Sequence, residues 1–76
     1  MSPRAPRITA KEIKKVLERA GWKVVQQTGS HIQLKRGGKS GRVTLAMHAG
    51  ETIQPGLLNK ILKQADMTME ELRRLL

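Results

Sequence analysis

Two histidines and a large excess of lysine and arginine are the residues of this 76-residue chain best suited to chemistry. An imidazole has an ordinary pKa of about 6.5, so it can accept or donate a proton near neutral pH. One histidine, His31, closes a Gly29-Ser30-His31 run; the other is His48. Its place in the sequence alone favours the interpretation that His31 is an exposed strand residue without a catalytic role. The chain has no cysteine, which excludes a thiol nucleophile, a disulfide framework and a thiolate zinc site.

The positive charge is concentrated in the first half of the chain. Fifteen Lys and Arg residues against six Asp and Glu residues give a net charge of +9. Residues 1–42 hold eleven basic and two acidic residues, whereas residues 43–76 hold four of each. A basic patch binds phosphates through counterion release, so nucleic acid is the favoured partner. An acidic protein partner and a solvated basic surface are the alternatives.

The length of the chain allows one small domain. Pro3 and Pro6 predict an extended basic arm over residues 1–7, ahead of a domain over residues 8–76. Apolar runs are too short to span a membrane, and the N-terminus lacks the apolar stretch of a secretory signal. We therefore expect a cytoplasmic protein.

Helices are predicted at three places. Thr9 and Glu12 have the spacing of a capping box, and apolar residues at i, i+3, i+4 and i+7 follow, which predicts a helix over residues 9–20. Pro55 fits the first position of a second helix with the same apolar repeat. The run Thr68-Met69-Glu70-Glu71 is a second capping-box spacing and opens a short third helix.

Three segments between the first two helices are predicted to be antiparallel strands: residues 22–27, 31–36 and 42–47. The last two alternate polar and apolar side chains, which gives the sheet one apolar and one polar face. We expect an α+β fold of order α-β-β-β-α-α, with the helices on the apolar face and the polar face open to solvent. Alternation groups His31 with Lys35 on the polar face, and His48 with Arg42.

The expected phosphate contacts are clustered cations and the backbone of the turn before His31. The cations are those of the second hairpin and the first helix: Lys11, Lys14, Lys15, Arg19, Lys35, Arg36, Lys39 and Arg42. Gly29 and Ser30 offer backbone amides to a phosphate, since glycine adds no side-chain bulk. Trp22 is the only aromatic residue and is expected in the core, so no platform for stacking bases is available. Binding should therefore follow the nucleic-acid backbone, depend strongly on salt and show little sequence preference.

Several segments, in this order, resemble the HicA toxin family. They are Glu18-Arg19-Ala20-Gly21-Trp22, Gln27-Thr28-Gly29-Ser30-His31, Val43-Thr44-Leu45-Ala46-Met47-His48, and the run from Pro55 to Ala65. The similarity covers about residues 8–73. It implies a fold like a double-stranded-RNA-binding domain and a toxin that cleaves mRNA and is neutralised by a HicB antitoxin. Two residues depart from the family pattern: Trp22 replaces a usual Phe, and Asp66 replaces the Gly that usually ends the helix.

The resemblance implies that His31 is the catalytic residue. RNA can be cut by its own 2′-hydroxyl, given a base, a proton donor and positive charge, for which Lys35 is the favoured source. His48 is either a second proton donor or, as we favour, a structural residue of the following loop. Two histidines without a third ligand do not make a metal site, and no cofactor is expected. The alternatives are a non-catalytic RNA-binding module and an adaptor for an acidic protein.

Overall fold

The computed structural model describes residues 7–38, 41–48 and 50–76 of the chain. Its elements follow the predicted order: α1 (Ala10–Arg19), β1 (Lys23–Thr28), β2 (His31–Lys35), β3 (Val43–Ala46), α2 (Pro55–Gln64) and α3 (Met69–Leu75). The predicted α+β class and the antiparallel sheet are confirmed. This is the topology that the family resemblance implies.

Local signals set the ends of the helices. The Thr9 hydroxyl accepts a hydrogen bond from the Glu12 amide at 3.2 Å, and the Glu12 carboxylate accepts one from the Thr9 amide at 3.0 Å. Thr68 and Glu71 repeat this reciprocal pair at the start of α3. Both predicted capping boxes are therefore confirmed, and each satisfies two amides that the first helical turn leaves without a partner.

The sheet has the order β1-β2-β3 and carries the helices on one face. Apolar side chains of β2 and β3 are buried beneath α1 and α2, and Trp22 closes the core at 1% exposure. The buried strand residues are Ile32, Leu34, Val43 and Leu45. The opposite face of the sheet, called here the open face, carries polar and charged side chains, as predicted.

β1 begins and ends one residue later than predicted. Thr28 pairs with His31, so the turn between β1 and β2 contains two residues rather than three. The register also shifts between Val24 and Gln26, because Val25 is an extra residue in the ladder. This bulge decides which side chains of β1 lie on the open face.

The domain begins no later than Ile8. Its side chain is fully buried, and its carbonyl accepts a hydrogen bond from the Ile53 amide at 2.7 Å. A bridge between Thr9 and Thr52 continues this pairing, so the start of α1 is held against the segment before α2. Arg7 is exposed, and the rest of the predicted arm over residues 1–7 lies outside the described residues.

Candidate active site

His31 is the first residue of β2 and lies at the end of the sheet, on the open face. It is opposite Thr28 of β1 and Ala46 of β3, and it is exposed to solvent. Side chains directly opposite each other across an antiparallel ladder share a face, so Thr28 and Ala46 are its cross-strand neighbours. Both are small and carry no charge, which leaves the imidazole accessible from above the sheet.

The turn before His31 presents its backbone to solvent. Gly29 has a φ of +59°, and no atom beyond its chain neighbours lies within 4 Å of the position that a Cβ would take. A glycine at positive φ in the first position of a two-residue loop is typical of a type II′ hairpin turn. The glycine is therefore needed for the turn, and a phosphate has open space beside it.

The turn is held from both sides by hydrogen bonds. The Ser30 carbonyl accepts one from the Met47 amide at 2.6 Å, which ties the end of β3 to the turn. The Gln27 side-chain amide donates one to the Gly29 carbonyl at 3.4 Å. These contacts fix the backbone directly before His31 and so limit where the imidazole can lie.

The open face is arranged in three rows across the strands, named here by their distance from the turn. The histidine row is Thr28, His31 and Ala46; the amide row is Gln26, Gln33 and Thr44; the cation row is the pair Lys23 and Lys35 together with Arg42, which directly precedes β3. Successive rows are about 6.6 Å apart, because same-face residues alternate along a strand. The cation row is therefore about 13 Å from the histidine row between Cα atoms.

The side chain of Arg42 extends from the cation row toward His31. Its Nη1 donates a hydrogen bond to the Gln33 Oε1 atom at 2.7 Å, so the guanidinium lies over the amide row. Lys35 shares the face with His31, as predicted, but is two rows away from it. The arrangement therefore suits Lys35 for a neighbouring phosphate better than for the phosphate nearest His31.

The other predicted cations are spread over the molecule. Arg36 lies just beyond the end of β2 that is opposite to His31, beside Gly21. Its Nε atom is 3.3 Å from the position that a Cβ on Gly21 would take. Lys11 and Lys15 lie exposed on α1, which covers the other face of the sheet. Lys39 lies outside the described residues. The structure thus brings Lys35 and Arg42 together on the open face and leaves Arg36, Lys11 and Lys15 elsewhere.

His48 does not share a face with Arg42, and that prediction is wrong. β3 ends at Ala46, and the His48 amide donates to the Ala46 carbonyl at 3.1 Å, which turns the chain. Strand alternation therefore does not extend to His48. The residue instead lines a cavity of about 720 Å³ between the start of α1 and the side of the β1–β2 hairpin that faces the helices.

Lys23 is a member of the open face that the sequence alone did not identify. Simple alternation along β1 from Thr28 places Val24 on the open face and Lys23 on the helix side. The bulge at Val25 reverses this order, so Val24 pairs with Leu34 and Lys23 pairs with Lys35. Two adjacent valines in an otherwise polar strand were the available signal, since only one of them can face the core.

Two kinds of feature are absent from the described part of the chain. No three His, Asp or Glu side chains in residues 7–38, 41–48 and 50–76 are grouped as a metal ion would require. Within the same residues, no helix is both long enough and apolar enough to cross a membrane.

Comparison with protein families identifies the chain. The family model described as the HicA toxin of bacterial toxin–antitoxin systems matches residues 10–67, which is more than half of the chain. This match begins at α1 and ends after α2, so it includes the whole sheet and both histidines. Comparison with curated protein sequences gives no significant match. The chain therefore belongs to the HicA family of toxins from bacterial toxin–antitoxin systems.

Proposed function

We propose that this toxin is an endoribonuclease that cuts mRNA in the cytoplasm without a metal ion, and that His31 transfers protons in the reaction. The observation that carries the proposal is the position of His31. It is exposed on the open face, beside a turn in which open space surrounds the backbone of Gly29. A phosphate seated at this turn would lie next to the imidazole. Family membership supports the role of a toxin.

The step we propose uses the RNA as its own nucleophile. The 2′-oxygen forms a bond to the adjacent phosphorus while the bond from phosphorus to the 5′-oxygen breaks. The 2′-hydroxyl proton passes to the imidazole of His31, and the departing 5′-oxygen takes up a proton from water. The products are a 2′,3′-cyclic phosphate and a 5′-hydroxyl. A positioned acid or base of this kind typically contributes about 10²- to 10⁴-fold to the rate.

Positive charge on the open face supports RNA binding along the strand direction. Lys23, Lys35 and Arg42 lie two rows beyond His31, and the Arg42 guanidinium extends to Gln33 of the row between. An RNA strand crossing the sheet would meet the imidazole first and these cations next. We assign the cation row to phosphates that flank the cut, where it contributes affinity rather than proton transfer.

We propose that the antitoxin binds the same face of the sheet. Toxins of this class are paired with an antitoxin, and we propose a HicB-like protein that covers His31 and the cation row with acidic side chains. Such a partner would exclude RNA by occupying its site. A mixture of both proteins should then bind RNA far more weakly than the toxin alone.

A cleavage assay in EDTA tests the proposed function. Wild-type protein should cut a long mRNA and leave 2′,3′-cyclic phosphate ends, whereas a His31→Ala variant should bind the RNA without cutting it. Binding without cleavage by both proteins would instead support the non-catalytic RNA-binding module. Equal cleavage by both would contradict the role of His31, and absence of RNA binding would favour the adaptor for an acidic protein.

A further inference from the structure

The cavity beside α1 is large, lies next to the turn that precedes His31, and is not used by the mechanism above. Its volume of about 720 Å³ is within the range of about 300–1,000 Å³ found for small-ligand sites. The hairpin residues that line it are Gln27 of β1 and Ile32 of β2, which pair with each other. Ile32 directly follows His31, so the cavity and the imidazole lie on opposite faces of the same end of the sheet.

The lining of the cavity combines three kinds of chemistry. Ile32 and Met47 provide an apolar floor, and Gln27 provides a side-chain amide that can donate and accept hydrogen bonds. Lys11, Lys14 and His48 provide the basic side of the cavity. The described residues that line it include no Asp or Glu. A ligand with an apolar ring face, a hydrogen-bonding edge and a negative charge matches this lining, and a nucleotide has all three.

Lys11 is better placed than Lys14 to meet the phosphate of such a ligand. The Lys14 ammonium lies 3.3 Å from the Glu18 carboxylate, a residue that does not line the cavity, so part of its charge is already compensated. Lys11 is exposed at the cavity and one turn nearer the start of α1. Lys60 of α2 is also exposed but does not line the cavity, which makes it a control.

We propose that this cavity is a nucleotide subsite, which holds one nucleotide of the RNA strand next to the bond that is cut. The base lies on Ile32 and Met47 with its edge at Gln27, and the phosphate lies at Lys11. The RNA passes over the Gly29–Ser30 turn between the cavity and His31. This inference rests on the proposed function. A base-binding cavity would give the enzyme a means to prefer particular bases. The open face offers no such means, because it has no Trp, Tyr or Phe side chain on which a base could stack.

The test uses a 2′-O-methyl RNA trinucleotide, which has no free 2′-hydroxyl and is not cut. Titrated into isotope-labelled wild-type protein, it should shift the amide resonances of Ile32, Met47 and Gly50. A matched abasic trinucleotide, with the same phosphates and no bases, should bind about fivefold more weakly. Gln27→Ala should reduce this difference, and Lys11→Ala should weaken binding of the intact trinucleotide about fivefold. Lys60→Ala should leave binding of the intact trinucleotide nearly unchanged.

Equal binding of the intact and abasic trinucleotides would overturn the inference, because the cavity would then hold phosphate alone. Equal losses in Lys11→Ala and Lys60→Ala would also overturn it. The experiment does not depend on catalysis, so the two proposals can fail separately. If mRNA is cut but the resonances at the cavity do not shift, only the subsite proposal is contradicted. If those resonances shift but mRNA is not cut, only the ribonuclease proposal is contradicted.

Discussion

Replacing the cation row is expected to change how RNA binding depends on salt. The variant combines Lys23→Gln, Lys35→Gln and Arg42→Gln, which removes three positive charges from one end of the open face and retains polar side chains there. Binding is measured by fluorescence anisotropy with a labelled 2′-O-methyl RNA strand, because this RNA is not cut during the titration.

The magnitude follows from counterion release. For a single strand, the slope of log K against log salt changes by about 0.7 for each phosphate neutralised, so three contacts account for about 2.1. Between about 50 and 200 mM salt, wild-type protein should therefore lose about twentyfold more affinity than the variant. The core is untouched, since all three side chains lie on the solvent face of the sheet.

A second triple variant controls for net charge. Lys60→Gln, Lys63→Gln and Arg73→Gln together remove the same charge from exposed positions of α2, which packs on β3, and of α3, which packs on α1. Its salt slope should stay close to that of the wild type. Equal slopes for the two triple variants would refute the assignment of the open face, because charge would then act without regard to position.

Three further predictions concern stability and are measured as free energies of unfolding in urea. Asp66 has a φ of +54°, so Asp66→Gly should be more stable than Asp66→Ala by about 1 kcal/mol; equal stabilities would contradict this. Trp22 is buried, and its Nε1 has no hydrogen-bond partner among the described residues. Trp22→Ala should therefore cost about 3–5 kcal/mol, and Trp22→Phe only about 1 kcal/mol, since the unpaired N–H is removed. Thr9→Ala should cost about 1 kcal/mol by removing the cap of α1, and an unchanged stability would mean that the capping box contributes nothing.

The sequence predicts the helices well because their signals are local. Both capping boxes are built from residues three positions apart, and the left-handed position at Gly21 follows directly from the end of α1. The alternation in β2 and β3 is equally local. It predicts which face of the sheet is buried, and it places His31 on the open face.

The composition of the candidate site is harder to predict because it depends on pairing between distant segments. The bulge at Val25 brings Val24 opposite Leu34 and so moves Lys23 to the open face. The turn after Ala46 moves His48 away from that face and toward α1. The two adjacent valines are a local signal of the bulge but do not fix its position. Both events depend on which residues the neighbouring strand or helix presents.

The single-turnover cleavage rate of His31→Ala, compared with that of His48→Ala, tests the central claim most directly. Both variants remove one imidazole from an exposed position. His31 lies on the open face at the proposed site of the cut, whereas His48 lines the cavity on the other side of the turn. We expect His31→Ala to lower the rate about 10²- to 10⁴-fold with RNA affinity within about twofold of wild type, and His48→Ala to lower it less than about tenfold. An unchanged rate in His31→Ala, or an equal loss in both variants, would contradict the account.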